Sequence, residues 1–411
     1  MISVSEAKNI LDEIADDISS HIIHEKMALS ESLGRVLAKP ILSPLDSPLF
    51  DNSAMDGFAL RSADTLQATI NVPVSLKING EIKAGDLPYC PSPWPSPTGG
   101  EGKYCVRIMT GAPVPEGCDA VVMKEKVLER DGNVYLTENI SQGKNIRKRG
   151  EDIKKGDLAL DFGAKIRAGT IGFLASLGVQ QIEVSSLPRI SILVTGNELV
   201  ETRENLSPGK IFDSNSWMLT ALLKEKGFVP QRVQRLCDDK KLIRKSLEIA
   251  LEDSQVLILT GGVSVGDSDF TKSILADLGV ETLFWKVNQK PGKPLYVGRL
   301  GEKIIFGLPG NPYAAFVCFI IYVLPLLQKL IGEAQTLSFK IPLAVDWNKK
   351  EERFHFLKGK KIVEKETLMA RPLSGQGSHE LKALTESDLL ICLSNGARNY
   401  QAGELVEVLC L

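Results

Sequence analysis

With 411 residues, 43% of them hydrophobic, the chain has the length of roughly two to four domains at about 100–200 residues each. Lys plus Arg (49) nearly cancel Asp plus Glu (51), and the only basic tract is the "RKR" of residues 147–149, which argues against nucleic acid or an anionic membrane as partner. Seven cysteines are scattered without a C-x-x-C pair, which excludes a disulfide framework or a zinc site and favours a small-molecule ligand in a reducing compartment.

The N-terminal "MISVSEAKNILDEIADDISS" is acidic and amphipathic and lacks the features of an export signal, so the cytoplasm is the expected compartment. Helix signals run over residues 4–38, with Ser5 as a cap and Ile10, Leu11, Ile14, Ala15 and Ile18 at helical spacing. Residues 44–142 change to short alternating apolar stretches broken by Gly and Pro, the pattern of a small inserted β-domain. Within it, residues 87–102 are so rich in proline that a strand ladder is excluded. From about residue 188 to 327 strand, loop and helix alternate ("RISILVTG", "WMLTALLKEKG", "VLILTGG", "TKSILADLG", "KIIFGLPG"), which predicts an α/β domain with a parallel sheet and a ligand at the carboxyl ends of its strands. The longest apolar run, residues 314–327, contains Pro325 and is shorter than a membrane span, so it is expected to be a buried helix. Short strands return in the last 80 or so residues, as in "DLLICLS" and "LVEVLCL". The fold class expected is therefore α/β plus β and multidomain: a discontinuous helical linker (residues 1–43 and 143–176), the inserted β-domain (44–142), the central α/β domain (177–328) and a C-terminal β-barrel-like domain (329–411).

Three strand ends carry related loops, "VTGNELV", "TGGVSVGDSDF" and "GLPGNPYAAF", and should converge on one crevice. Gly261, Gly262 and Gly266 allow close backbone approach, and a following helix aims free N–H groups at an anion, so phosphate is the expected occupant. Asp267 and Asp269 would repel phosphate by about 4 kcal/mol per pair at roughly 4 Å unless a divalent cation such as Mg²⁺ bridges them; the alternative for the loop in isolation is that one of them merely caps the helix. "KVNQKPGKP" (residues 286–294) holds Lys290 and Lys293 in a turn stiffened by prolines, suited to an oxyanion, although two lysines alone more often mark a solvated turn. "GLPGNP" offers backbone donors at Gly310 and Asn311 with Pro312 at a helix start. His21 and His24 read as solvated helix positions, and His355 and His379 are isolated.

Taken together, "DNSAMDGFA", "RIMTGAPVPEGCDAVVM", "RKRGEDIKKGD", "LVTGNEL", "TGGVSVGDSDF", "KPGKP", "GLPGNP" and "GQGSH" occur in an order that resembles the molybdopterin molybdenumtransferases, the MoeA family, similar to the E domain of gephyrin. The resemblance covers about residues 4–410. It implies a cytoplasmic homodimer of four-domain subunits that inserts molybdenum from molybdate into adenylylated molybdopterin with release of AMP, in contact with the molybdopterin adenylyltransferase and apo-molybdoenzymes, and with neither nucleic acid nor membrane. Its central domain would be of molybdopterin-binding type. By position, Ser264, Asp267 and Asp269 would contact nucleotide and Mg²⁺, joined in the acidic crevice by Glu198 and by Asp238 or Asp239. Lys286, Lys290, Lys293 and Pro294 would face molybdate and pyrophosphate, Arg353 and Ser378 would come from the terminal domain, and Asp56 and Thr110 from the β-domain, some of these across the dimer.

Three departures stand out, one of them a peripheral proline-rich loop near residue 90 that is longer than the family pattern requires. Asn197 replaces the aspartate of the family's usual "TGDEL", and Ala314 replaces a serine in "GNPVS". If these disable turnover, the alternative is a non-catalytic molybdopterin carrier or scaffold; an adenylyltransferase would need only the α/β domain.

Overall fold

A computed structural model describes residues 1–19, 23–87, 103–262, 270–334 and 338–411. Ser264, Gly266, Asp267, Asp269, His21 and most of the proline-rich stretch lie outside the described residues.

The first helix, Val4–Ser19, buries Val4, Ala7, Leu11, Ile14 and Ala15 along one stripe. Its cap is Ser3 rather than Ser5: the Glu6 amide donates to Ser3 Oγ at 3.1 Å and the Ser3 amide donates to the Glu6 carboxylate at 2.8 Å, a reciprocal capping box. The helix ends at Ser19, and the expected continuation is instead the strand His24–Ala28, paired antiparallel with Gln181–Ser185. The partner lies far along the chain, so local periodicity could not announce it. His24 is exposed on that strand.

A six-stranded sheet follows, in the order Ala120–Met123, Gly57–Leu60, Tyr104–Ile108, Val74–Ile82, Asn133–Leu136 and Leu128–Arg130. Alternation along Gly57–Leu60 sends Phe58 and Leu60 to one core and Ala59 to another, so both faces of this small sheet are covered. The chain enters and leaves it through paired short strands, Asn52–Ser53 with Ile146–Arg147 and Ile41–Leu42 with Leu158–Leu160.

The central sheet runs Pro230–Leu236, Ile190–Thr195, Val256–Thr260, Lys303–Leu308, Tyr296–Leu300 and Glu281–Trp285. Its first four strands are parallel, as expected, whereas the last two form an antiparallel edge. Ile190–Thr195 and Val256–Thr260 are buried at every position, because helices cover both faces. The apolar run forms one continuous helical rod, Pro312–Leu330, long and apolar enough to cross a membrane but 83% buried inside the fold. Its middle, Phe319–Val323, widens to a π-helix directly before Pro325, where a proline ring would collide with the carbonyl four residues earlier in a regular helix.

The C-terminal sheet runs Gln289–Lys290, Phe354–Glu364, Leu389–Leu393, Leu405–Cys410 and Phe339–Pro342, with Thr367–Pro372 paired to Phe354–Glu364. Its first strand comes from the "KPGKP" turn of the preceding α/β region, pairing Lys290 with His355. Phe356, Leu390 and Cys392 also join the largest core together with Tyr313 and Phe316. Sheet pairing and shared core thus fix the two regions against each other along one seam.

Candidate active site: a cationic cleft and the strand ends beside it

Along that seam lies a cleft of about 490 Å³ whose lining includes Lys290, Lys293, Pro294, Asn311, Arg353 and Ser378. Residues drawn from three separate sequence motifs meet there. Lys290 Nζ lies 2.6 Å from Glu351 Oε1, and Arg353 Nη2 lies 3.1 Å from Glu351 Oε2, so one carboxylate braces two cations. Hydrogen bonds from Lys290 and then Arg353 hold the Glu351 carboxyl down to about 2. Two cations against one anion leave the cleft positive, which suits an oxyanion.

The turn behind Lys290 is rigid for specific reasons. Gln289 is fully buried, donates to Pro291 O at 3.0 Å and accepts from the Tyr322 hydroxyl. Gly292 has φ +90°, and a Cβ there would stand 2.6 Å from Cys318 Sγ, so only glycine lets the turn close on the helix.

Sequence reasoning missed Lys358, which organises the opposite wall. It is fully buried, yet no carboxylate pairs with it among the described residues. Its Nζ donates to Gly375 O (2.7 Å) and Gly377 O (3.0 Å) and lies 3.8 Å from the Tyr313 ring centroid. Gln376 exchanges hydrogen bonds with the Lys358 backbone, and the Tyr313 amide donates to Ser378 O at 3.1 Å. The "GQGSH" loop is therefore clamped between the C-terminal sheet and the helix starting at Pro312. An alternating apolar strand with one lysine gave no signal of this, because the carbonyls and the ring that meet the ammonium, and the Glu380 carboxylate whose charge favours it, lie distant in sequence.

Beside the cleft, Thr195, Thr260 and Leu308 end on adjacent strands, so the three glycine-bearing loops leave the sheet side by side. Gly261 and Gly262 have φ +81° and +63°, and a Cβ on Gly261 would meet Thr195 O at 2.2 Å. Thr195 Oγ1 and Thr271 Oγ1 are buried beneath them without a hydrogen-bond partner among the described residues. Asn215, another residue missed, donates to Thr260 Oγ1 and to Gly310 O, both at 2.8 Å, tying two of the loops together. Pro312 occupies the first turn of its helix, as expected, while Asn311 makes no side-chain cap.

Glu198 and Asp238 stand on loops leaving neighbouring strands and do not line the cleft. Asn197 and Asp238 bond reciprocally: the Asn197 amide donates to Asp238 Oδ2 (3.1 Å) and the Asp238 amide to Asn197 Oδ1 (3.0 Å). The asparagine thereby keeps the acceptor that an aspartate would supply. Asp239 caps the helix Lys240–Asp253 by accepting from the amides of Lys241 and Leu242. Among the described residues no group of three or more His, Cys, Asp or Glu gathers as a metal site.

Lys286 lies outside the cleft lining, with its ammonium 3.8 Å from the Trp285 ring centroid and Lys272 3.3 Å from the same ring. Asp56 accepts from the Thr110 amide and hydroxyl, both at 2.7 Å, which lowers its pKa. That pair sits on the β-domain and not in the cleft.

The chain matches family models over nearly its whole length: the MoeA N-terminal region (domain I and II) at residues 2–178, a probable molybdopterin binding domain at 191–329 and the MoeA C-terminal region (domain IV) at 340–411. It is 37% identical over 389 residues to a molybdopterin molybdenumtransferase of Haemophilus influenzae, covering 93% of both chains. The chain belongs to the molybdopterin molybdenumtransferase (MoeA) family. A relative of the same name from Bacillus subtilis is 34% identical over 94% of this chain and 90% of its own. The crystal structure of the molybdopterin biosynthesis moeA protein from Pyrococcus horikoshii OT3 superposes with a TM-score of 0.82 at 29% identity, covering 100% of both chains. The family resemblance read from the motifs is thus borne out, as is the multidomain α/β plus β fold class.

Proposed function

We propose that this chain is a molybdopterin molybdenumtransferase that transfers molybdenum from molybdate to adenylylated molybdopterin, with release of AMP. Relatives named for that activity over more than nine-tenths of the chain support the reaction class. The single observation that carries the assignment to this site is the cleft in which Lys290, Lys293, Arg353 and Ser378 converge.

In this reading Lys290 and Arg353, pre-positioned by Glu351, bind the molybdate dianion by charge and direction, while Ser378 adds a hydroxyl. Pro294 and Ala314 exclude water from one wall. The phosphate of the adenylate lies over the strand ends at Gly261 and Gly262 and before Gly310 and Asn311, where the buried Thr195 and Thr271 hydroxyls have no partner among the described residues. Two exposed carboxylates on loops from neighbouring strands suit a hydrated divalent cation, so Glu198 and Asp238 would hold Mg²⁺, helped by Asp267 and Asp269. Mg²⁺ held there would neutralise phosphate charge as the adenylate leaves. Ser264 and Gly266 complete the nucleotide side, Lys286 is the outer cation, and Asp56 with Thr110 approaches from a second copy of the chain. A cytoplasmic homodimer, the four-part division expected from sequence, and transient contacts with the adenylyltransferase and apo-molybdoenzymes belong to the same proposal.

The test is anaerobic incubation of the purified chain with adenylylated molybdopterin, Mg²⁺ and molybdate, following AMP release and reconstitution of an apo-molybdoenzyme. Both products from the wild type, and neither from Lys290→Ala, support the assignment. Tight nucleotide binding without AMP release would show a carrier instead.

A further inference from the structure

One member of the cleft lining has no role in the reading above. His355 follows Arg353 by two residues, pairs in backbone register with Lys290 on one side and Leu393 on the other, and is 7% exposed. Neither ring nitrogen hydrogen-bonds any described residue, and Nδ1 is sealed from solvent without a partner. Its strand neighbours Phe354 and Phe356 are apolar, and a leucine or phenylalanine would fill a purely structural position here without stranding a polar atom.

We propose that His355 is a further contact to the oxyanion in this cleft, hydrogen-bonding through Nε2 to an oxygen that Lys290 and Arg353 hold by charge. The inference rests on the cleft being the molybdate site. Lys290, Lys349 and Arg353 surround the ring, with Glu351 as the opposing charge. Burial, and after it the charge of Lys290, pushes the imidazole down to about 4, so at neutral pH it offers one N–H donor and one lone pair. A further buried cation added to Lys290, Lys293 and Arg353 would be repelled whenever the cleft is empty. An uncharged N–H avoids that repulsion and still gives the oxyanion a directional bond, fixing which oxygens point toward the incoming dithiolene. The sequence had marked His355 only as isolated, because its partner is a ligand and not a second residue.

The probe is molybdate itself, titrated into the full chain. Two readouts are followed: the dissociation constant by calorimetry, and the imidazole ¹⁵N resonances, which are few because the chain has only 4 histidines. Expected results are movement of the His355 Nε2 resonance on saturation, about tenfold weaker binding in His355→Phe, and binding within about threefold of wild type in His355→Gln, whose amide N–H reaches the Nε2 position. An unmoved His355 resonance at saturation, or wild-type affinity in His355→Phe, overturns the contact while leaving the cleft as the molybdate site if Lys290→Gln still weakens binding. Wild-type affinity in Lys290→Gln removes the cleft assignment and this inference with it. The resonance readout uses the wild-type chain, so it decides the question even where a variant fails to fold.

Discussion

The cationic cleft and the acidic strand ends lie beside each other, yet they are held in opposite ways. In the cleft the cations are braced by protein groups: Lys290 and Arg353 by the Glu351 carboxylate, and Lys358 behind the wall by the carbonyls of Gly375 and Gly377. At the strand ends the carboxylates are exposed, and the bonds that order them come from neighbouring loops, as between Asn197 and Asp238. A site for an oxyanion can be finished before its ligand arrives, because mixed charges stabilise one another. A site for a hydrated cation must keep like charges apart in solvent until the cation joins them.

The sharpest way to break this contrast is to remove one charge from each side. Lys290→Ala should lower kcat/KM for AMP release by about 100-fold or more, and added Mg²⁺ should not restore it. Glu198→Ala should lose a similar factor at low Mg²⁺ but recover part of it as Mg²⁺ is raised. Equal responses to Mg²⁺ would erase the distinction.

Acid unfolding separates two titrating groups at the cleft, the buried His355 and the partly exposed Glu351. His355 titrates near 4 in the folded chain against a usual 6.5, so the unfolded chain takes up the proton first, and stability falls as pH drops from about 6.5 to 4. That loss is on the order of 3 kcal/mol and should vanish in His355→Gln. Glu351 is held near 2 against 4.5, so its contribution is present above about 4.5 and is lost as pH falls toward 2, a window that Glu351→Gln should flatten. Chemical denaturation at a series of pH values measures both.

Lys358→Met tests the loop clamp. Losing the two carbonyl contacts should loosen Ser378 and cost roughly 10- to 30-fold in kcat/KM, mostly through KM for molybdate, with Lys358→Arg recovering part of it. An unchanged KM would show that the loop holds its place without the lysine. The smallest effect is expected for Asn197→Asp, which keeps the acceptor for the Asp238 amide: stability within about 1 kcal/mol of wild type and a shifted Mg²⁺ dependence. A large loss of stability would show that the amide and carboxylate are not interchangeable there.

Much of this was legible in the sequence for local reasons. The alternation of apolar strands, glycine turns and helices marked the α/β region, and the two prolines of "KPGKP" marked a stiff lysine turn. Asp239 was legible too, since an aspartate directly before the spacing of Ile243, Leu247, Ala250 and Leu251 is a cap signal that an acidic-crevice reading passed over. The strand His24–Ala28 and the antiparallel edge at Tyr296–Leu300 were not legible, because each is defined by pairing with a distant strand.

The sequence by itself determined the family, the order of the folded regions and the stiff lysine turn that lines the cleft, since periodicity, turn chemistry and motif order are written in neighbouring residues. Only the tertiary structure decided that Lys290 pairs beside His355, that Glu351 braces two cations and that a buried lysine carries the Ser378 loop. Those outcomes depend on desolvation and on partners brought together by folding, and no local pattern encodes either.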